Sequence, residues 1–417
     1  MALDLGNLMD RSDEIWEQSI LPSLSDFIEI KALSPLFEPD WADLGELDAT
    51  IELFCKWLDD QGISGMTYET HRIDDLSPVL LVTIEGTGPG EVIFYSHLDK
   101  QPSKPDLWSD GLHPLRAVRR DPWLYGRGSV DDGYGGYLCA TSIRLLQEAG
   151  VPHPRCTLII ETCEESGSFD LPPYLEALSG QLGAPDMVVV MDSGGPDYDH
   201  VWMTEALRGL VSGTLSVKVS HEGIHSGNSG GSIPSSFRIL RILLDRVEDS
   251  ATGRVLIPEM HVEIPEEIRE KAVALREIVG NSIWEQFPTV DSLRQASDTT
   301  EDMIIAMNWA PTLSIIGADG MPSVQVAGNV LRTNTDLKLS FRIPPGVDSD
   351  IAIACAKKAL EEDPPYGAEV SFIPDSCADG FHAPPLAGSV SDAIHDASME
   401  LTGLPPLATW TGGTIPF

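Results

Sequence analysis

The sequence predicts an α/β protein, with a mixed, largely parallel sheet in one domain and an inserted ferredoxin-like (βαββαβ) second domain. Three observations predict it. Short apolar runs that end in acid or histidine, VIFYSHLD (92–99), CTLIIETCEE (156–165) and DMVVVMD (186–192), are interleaved with a helical stretch. Continuous apolar runs suit strands buried on both faces, and strand–helix–strand order indicates parallel segments. After Arg208 the pattern turns to alternation. Val211, Gly213, Leu215, Val217 and Val219 then stand against Ser212, Thr214, Ser216, Lys218 and Ser220, the mark of a half-buried strand. The 417 residues also suit two domains of ~100–200 residues each.

The elements follow in order. Ile15, Trp16, Ile20, Leu24, Phe27 and Ile28 recur at steps that give a first helix one apolar face. A second helix is expected over 47–58. Between the first two apolar runs lies a helix over 136–149, closed by Gly150 as its C-cap. In the second domain, Phe237, Leu240, Leu243, Leu244 and Val247 mark one face of a helix after the alternating strand. Strands fit 312–317 and 335–343, a helix fits 349–362, and a last strand fits 369–374. That order is the βαββαβ unit. Residues of about 250–309 interrupt it and read as helical, as over 265–279. The first domain is therefore expected from 1–207 with 379–417, and the second from 208–378.

The net charge of −38 excludes a nucleic-acid partner, which needs a basic face, and disfavours an anionic membrane surface. No apolar run approaches the ~18–20 residues of a membrane span. The start, MALDLGNLMDRSDEIW, lacks the basic segment and apolar core of a secretory signal. The six cysteines form no C-x-x-C pair. Reduced thiols in a cytoplasmic protein fit them better than a disulfide framework or a zinc ribbon.

Candidate chemistry gathers at the ends of the apolar runs. His97 and Asp99 are two apart at a strand end, so both side chains point to one side. GRGSVDDG (126–133) sets Asp131 and Asp132 side by side, where they repel unless something positive intervenes. Glu164 and Glu165 close the second run, and Asp192 closes the third. Each group alone reads as a solvated strand terminus or an acidic loop. Together they place one histidine and several carboxylates where α/β sheets bind ligands. A mixed nitrogen and oxygen set suits Zn²⁺, Mn²⁺ or Co²⁺ better than Ca²⁺. There are more carboxylates than one ion needs, so two metals with a bridging carboxylate are expected. Such pairs activate water near neutral pH.

The segments SHLD, GRGSVDDG, CEESGS, the strand ending in Asp192, IHSGNSGG and GGTIP occur in one order. This series resembles the co-catalytic zinc metallopeptidase family of carnosinase-like dipeptidases, aminoacylases and glutamate carboxypeptidases. The inserted lid domain, the helical stretch at 250–309 and GGTIP resemble the carnosinase-like branch most. The resemblance implies that His97 and Asp192 bind one metal, that Asp131 bridges, and that Glu165 binds the second. It makes Glu164 the general base and Asp99 the partner of His97. It makes His225 an oxyanion stabiliser that reaches into the partner subunit of a homodimer formed through the lid. Asn329 and Arg342 would bind substrate, and Gly412, Gly413 and Thr414 would form a loop closing around it. From the sequence itself Arg342 reads as part of a solvated strand face with Lys338 and Ser340; lining a cleft, it would hold a carboxylate in bidentate fashion.

The implied activity is a metal-dependent hydrolase of dipeptides or similar small carboxylate-bearing amides. The metal would be zinc, with manganese or cobalt as alternatives. Deacylation of N-acyl amino acids by the same metals is the alternative. Three departures stand out. Gly133 replaces a usual Lys, and Ser96 replaces a common Gly. The family's last metal-ligand histidine lies beyond GGTIP, whereas this chain stops at Phe417, and His382 and His395 both precede that motif. A C-terminal truncation is therefore expected, with a catalytically impaired homologue as the other reading.

Overall fold

The buried residues Ile15 and Ile20 stand five apart on the N-terminal segment, a step that an α-helix does not keep in phase. In the computed structural model, which describes residues 5–414, the step is absorbed by a π-helical turn. Helix α1 (Leu5–Ile15) passes through that turn (Trp16–Ile20) into α2 (Leu21–Glu29). Ile15, Ile20, Leu24, Phe27 and Ile28 are thereby all buried. Pro22 falls in the first turn of α2, where a missing N–H leaves nothing unpaired.

The chain parts into two units between Gly194 and Gly195. The first continues with helices α3 (Trp41–Leu44) and α4 (Glu46–Asp59) and strands β1 (Met66–His71), β2 (Val79–Ile84) and β3 (Glu91–His97). A small hairpin follows, β4 (Val118–Arg120) with β5 (Trp123–Tyr125). Then come α5 (Gly135–Glu148), β6 (Arg155–Glu161), α6 (Leu171–Ala177), α7 (Ser179–Leu182) and β7 (Met187–Val190). The main sheet has the order β1-β2-β6-β3-β7. One face carries Leu80, Val82, Leu158 and Ile160 into a core with Leu24, Phe27, Phe54, Trp57 and Tyr137 from the helices. The other carries Leu81, Ile93, Tyr95 and Ile159 against Leu171, Tyr174 and Leu178.

The predicted, largely parallel sheet is corrected by this pairing. β3 runs parallel to β6 and β7, but β1–β2 and β2–β6 are antiparallel. Only residues 72–78 join β1 to β2, too few for the crossover of a dozen or more that a parallel pair requires. The expectation that the third apolar run is buried on both faces is corrected as well. β7 is an edge strand, and Val188 is 55% exposed.

The second unit begins with β8 (Trp202–Leu207), β9 (Gly209–Lys218), β10 (Ile224–His225), α8 (Ser226–Ser229) and α9 (Ser236–Leu244). Helices α10 (Glu266–Val279), α11 (Ser282–Glu285) and α12 (Thr300–Asn308) fill the expected helical stretch. β11 (Thr312–Asp319), β12 (Val330–Leu331), β13 (Asn334–Ile343), α13 (Ser349–Glu361), β14 (Glu369–Ala378), β15 (Phe381–His382), α14 (Gly388–Leu401) and β16 (Leu407–Thr411) complete it. The order β11-β13-β9-β14 is antiparallel throughout. Its inner face packs Val211, Leu215, Leu339 and Phe341 on Ile239, Leu240, Leu243, Ala352 and Ala356. Phe237, expected on the buried face of α9, is exposed.

A ferredoxin-like inserted lid is not the module this unit forms. The four-stranded sheet shares the unit with a β15-β8-β16 sheet, a β10-β12 pair and a separate core of α10, α12, Trp309 and Trp410. Reading only the alternating strands isolated four of these elements from the rest. The fold class is thus α/β with mixed, mostly antiparallel sheets. All six cysteines are free, and only Cys377 is exposed. No helix among the described residues is long and apolar enough to cross a membrane.

Helix α5 lies close on the sheet because Gly136 faces it. A Cβ there would come 2.9 Å from Phe54 Cζ and 3.2 Å from Ile160 Cδ1. Gly136→Ala is expected to destabilise the protein by about 1–3 kcal/mol through overpacking. Urea denaturation of the variant beside the wild type checks this, and an unchanged midpoint would contradict it.

Candidate metal centre

Alternation along the end of β3 sends His97 and Asp99 to one side, and both are fully buried. His97 Nδ1 lies 3.2 Å from the Asp99 carbonyl oxygen and 3.4 Å from its carboxylate Oδ1. Both are acceptors, so Nδ1 carries the proton and Nε2 presents its lone pair outward. Nε2 then faces more acceptors, with Asp131 Oδ1 at 3.2 Å, Asp192 Oδ2 at 3.8 Å and Glu164 Oε2 at 3.9 Å. Nε2 is buried and has no hydrogen bond of sound geometry. A lone pair aimed at carboxylates needs a cation between them. Ligand atoms of His97, Asp131 and Asp192 all lie within 4.8 Å of one another. One nitrogen and these oxygens fit a zinc-like divalent ion.

Each acid is fixed from behind. The neighbour of Asp131, Asp132, is buried, and its Oδ2 accepts from the His97 backbone N–H at 3.2 Å. Ser96 Oγ donates to the Asp132 carbonyl. These bonds moor the GRGSVDDG loop to β3. Glu164 and Glu165 sit on a 3₁₀ turn (Glu164–Ser166) after β6. Their backbone N–H groups donate to Asp99 Oδ1 at 3.2 Å and Oδ2 at 3.0 Å. Asp99 thus serves the imidazole and the turn together. Gln101 adds two bonds, from its backbone N–H to Glu165 Oε1 and from Nε2 to the Glu165 carbonyl, both 3.2 Å. Asp192 follows β7, where Tyr134 Oη donates to the Met191 carbonyl at 2.9 Å. Gln101 was missed by the sequence reading, and Asp132 was noted there only as a carboxylate repelling Asp131, without a role of its own. The signals were adjacency to Asp131 for the one and a place two residues after Asp99 for the other.

So many acids cannot all stay ionised without a counter-charge. Burial raises the Glu164 carboxyl to about 8; His97 opposes this, while Asp192, Asp99 and Glu165 add to it. Burial and Asp131 raise Glu165 to about 7. Burial also lifts Asp192 and takes Asp132 to about 7. Asp131 is held low by the His97 imidazole close beside it. Burial opposes a charge on His97, but Asp131 and Asp99 outweigh it and lift the imidazole well above its ordinary value.

The other expected residues belong to the second unit. Exposed His225 accepts from the Gly227 N–H through Nδ1, and its neighbour Ser226 donates from its N–H to the Asn329 carbonyl at 2.9 Å. Arg342 Nη1 donates to Thr414 Oγ1, which donates to the Arg208 carbonyl, each at 2.6 Å. Gly412 lies against the Arg208 guanidinium, and the Gly413 N–H donates to Thr411 Oγ1. Arg208 was also missed, though it interrupts the apolar run ALRGLV. Its Nη1 donates to Thr312 Oγ1, and its buried Nε has no partner. Burial, together with the nearby charge of Arg342, lowers Arg208 to about 10. Neither arginine has an ion-pair partner among the described residues.

Residues 93–410 match the model of peptidase family M20/M25/M40. The Beta-Ala-His dipeptidase of Mus musculus is 26% identical over 354 residues, 82% of this chain and 70% of that protein. The Cys-Gly metallodipeptidase DUG1 of Saccharomyces cerevisiae is 26% identical over 370 residues, 86% of this chain and 75% of that one. The crystal structure of human carnosine dipeptidase 1 superposes with a TM-score of 0.78 at 22% identity, covering 100% of this chain and 88% of that one.

Protons on Glu164, Glu165 and His97 occupy the positions that a cation needs. As pH rises through the raised carboxyl values of about 7 and about 8, those protons leave. Zn²⁺ affinity is therefore expected to rise between about pH 6 and about pH 8, with protons released on binding. Calorimetry in two buffers of different ionisation enthalpy measures both. A flat affinity with no proton release would contradict the cluster's role.

Proposed function

The chain belongs to peptidase family M20/M25/M40, and from that premise we propose its reaction: hydrolysis of the amide bond of dipeptides or similar small substrates with a free carboxylate. The single observation that carries the reading is the buried His97 Nε2, partnerless and ringed by Asp131, Asp192 and Glu164. Two relatives over most of the chain are dipeptidases by name, which supports a dipeptide substrate. His97 and Asp192 would hold one divalent ion, Asp131 would bridge, and Glu165 would hold a second. When bound, such ions lower the pKa of water and stabilise negative charge developing on the substrate carbonyl.

The protein's own groups do the rest. Glu164, whose carboxyl stands at about 8 before any cation arrives, becomes a base once a cation lowers it. It takes a proton from the attacking water and returns it to the leaving amine. Asp99 holds the His97 tautomer and the turn that carries Glu164. Arg342, on its Thr414 support, takes the substrate carboxylate, with Asn329 and the loop of Gly412, Gly413 and Thr414 lining the substrate. His225 stabilises the oxyanion of the partner subunit in a homodimer.

In this functional division residues 1–207 with 379–417 form the catalytic part, and 208–378 form the lid and dimerisation part. By packing, however, residues 195–414 form one unit. Six free thiols support a cytoplasmic setting.

A second reading, deacylation of N-acyl amino acids, is favoured by one observation. Arg208 and Arg342 are two neighbouring guanidiniums without acidic partners, which suits a substrate with two carboxylates. A succinyl-diaminopimelate desuccinylase of Nitrosomonas europaea is 23% identical over 336 residues, 80% of this chain and 73% of that protein. A panel of dipeptides, N-acetyl and N-succinyl amino acids, with Zn²⁺ or Mn²⁺ supplied, separates the readings by kcat/KM.

Glu164→Ala is expected to cut kcat by about 10²–10⁴-fold, the usual worth of a general base, with metal content unchanged. Metal analysis beside steady-state kinetics tests it, and retained turnover would overturn the assignment. Arg342→Lys keeps the charge but loses the planar fork, so KM should rise about tenfold with kcat little changed. An unchanged KM would remove Arg342 from the substrate site.

A further inference from the structure

Behind the acidic cluster lies a buried lysine that the proposed reaction does not use, its amine lowered by burial to about 7. Lys100 is fully buried, and no ion pair accompanies it among the described residues. Its Nζ donates to the carbonyls of Ile30 at 2.6 Å, Phe27 at 2.7 Å and Ile28 at 3.4 Å, and stands 4.0 Å from the Phe27 ring centroid. Phe27 and Ile28 close α2 and Ile30 caps it. These carbonyls lie at the negative end of the helix dipole, where the regular intrahelical donors run out; only Phe27 has another, the Ile30 N–H at 3.1 Å. A buried charge is costly unless it is compensated. Here the compensation comes from a helix end and a ring face about seventy residues earlier in the chain, so the side chain pins two distant segments together.

The pinned segments are the ones that seat the cluster. The GRGSVDDG loop rests on them with no space to spare. A Cβ on Gly126 would lie 2.4 Å from Ile28 Cγ2, one on Gly128 2.8 Å from Lys100 Cε, and one on Gly133 2.3 Å from Phe27 Cε1. On the other flank, Lys100 stands between Asp99 and Gln101, the two residues that grip Glu164 and Glu165. The Lys100 backbone is fastened as well, donating to the Ala32 carbonyl at 2.9 Å and accepting from the Ser34 N–H at 3.1 Å. Position 133, where the resemblance expects a lysine, has no space for one beside the Phe27 ring. The cation enters from the end of β3 instead.

We propose that Lys100 is a positioning residue for the metal centre, its ammonium clamping the end of α2 so that the Asp131 loop and the Glu164–Glu165 turn keep their places relative to each other. The inference rests on the metal-centre reading. Lys100→Met keeps the length and apolar stem and removes the ammonium. In the metal-free full chain it should bind Zn²⁺ about 10–100-fold more weakly by calorimetry, the usual effect of losing support behind metal ligands. With metal supplied at saturation, kcat should fall by a similar factor while KM stays within about twofold.

Lys100→Arg, which keeps the charge and the donors, should restore most of the affinity. Leu58→Ala is the stability control, since it opens the same core away from the loop; it should lower the thermal midpoint and leave Zn²⁺ affinity unchanged. If Lys100→Met does not fold, Lys100→Gln carries the same expectations. Wild-type affinity in the uncharged variant would overturn the proposal. So would an equal loss of affinity in Leu58→Ala, because stability alone would then be the cause. A wild type that binds no Zn²⁺ would overturn the metal reading itself, a result distinct from either.

Discussion

Like-charge repulsion around one imidazole is the constraint on which the first unit depends. Asp131, Glu164 and Asp192 come within 3.9 Å of His97 Nε2, and Asp99 stands behind the ring. Left to themselves these groups would move apart or take up protons, and the raised carboxyl values show the second tendency. The fold resists the first by fastening each acid through its backbone. The Glu164–Glu165 turn hangs on Asp99 through N–H groups, and the Asp131 loop hangs on β3 through Ser96 and Asp132. Asp99 and Asp132 spend their carboxylates on this fastening and Glu165 gives Oε1 to Gln101, while those of Asp131, Glu164 and Asp192 stay turned toward Nε2.

The sheet order explains why the acids converge. Parallel pairing is confined to β6, β3 and β7, with β3 in the middle. Three parallel strands end on one side, and their ends carry Glu164–Glu165, His97–Asp99 and Asp192. β1 and β2 extend the sheet in the antiparallel sense and bring no residue to the cluster; they widen the surface on which the helical core packs. Chemistry thus needs only the parallel part of the sheet, and the antiparallel part answers to burial.

What was legible in the sequence follows that difference. The strand ends were legible because an apolar run closing in acid breaks the rule that buried strands carry no charge, and the break marks a site. Sheet direction was not, since an apolar run looks the same in either sense and only the length of the connection decides. β1 (Met66–His71, MTYETH) is too polar to announce a strand. Asp132, Gln101 and Arg208 were hidden for another reason. Their roles are set by which backbone or side chain they meet after folding, and Asp132 differs from Asp131 only in pointing inward. Phe237 shows the reverse error, an apolar residue counted as core because it borders the right face.

The two units carry opposite charge logic. The acidic cluster repels any anion until divalent cations reverse its sign, whereas Arg208 and Arg342 attract one without help. Their burial sharpens the contrast. A guanidinium out of water with no acid beside it is unfavourable, and burial lowers both arginines. A carboxylate brought to them would relieve that cost directly. The cluster has the opposite need: an electron-rich ligand brought among its unscreened carboxylates meets only acceptors, so a cation has to enter it first.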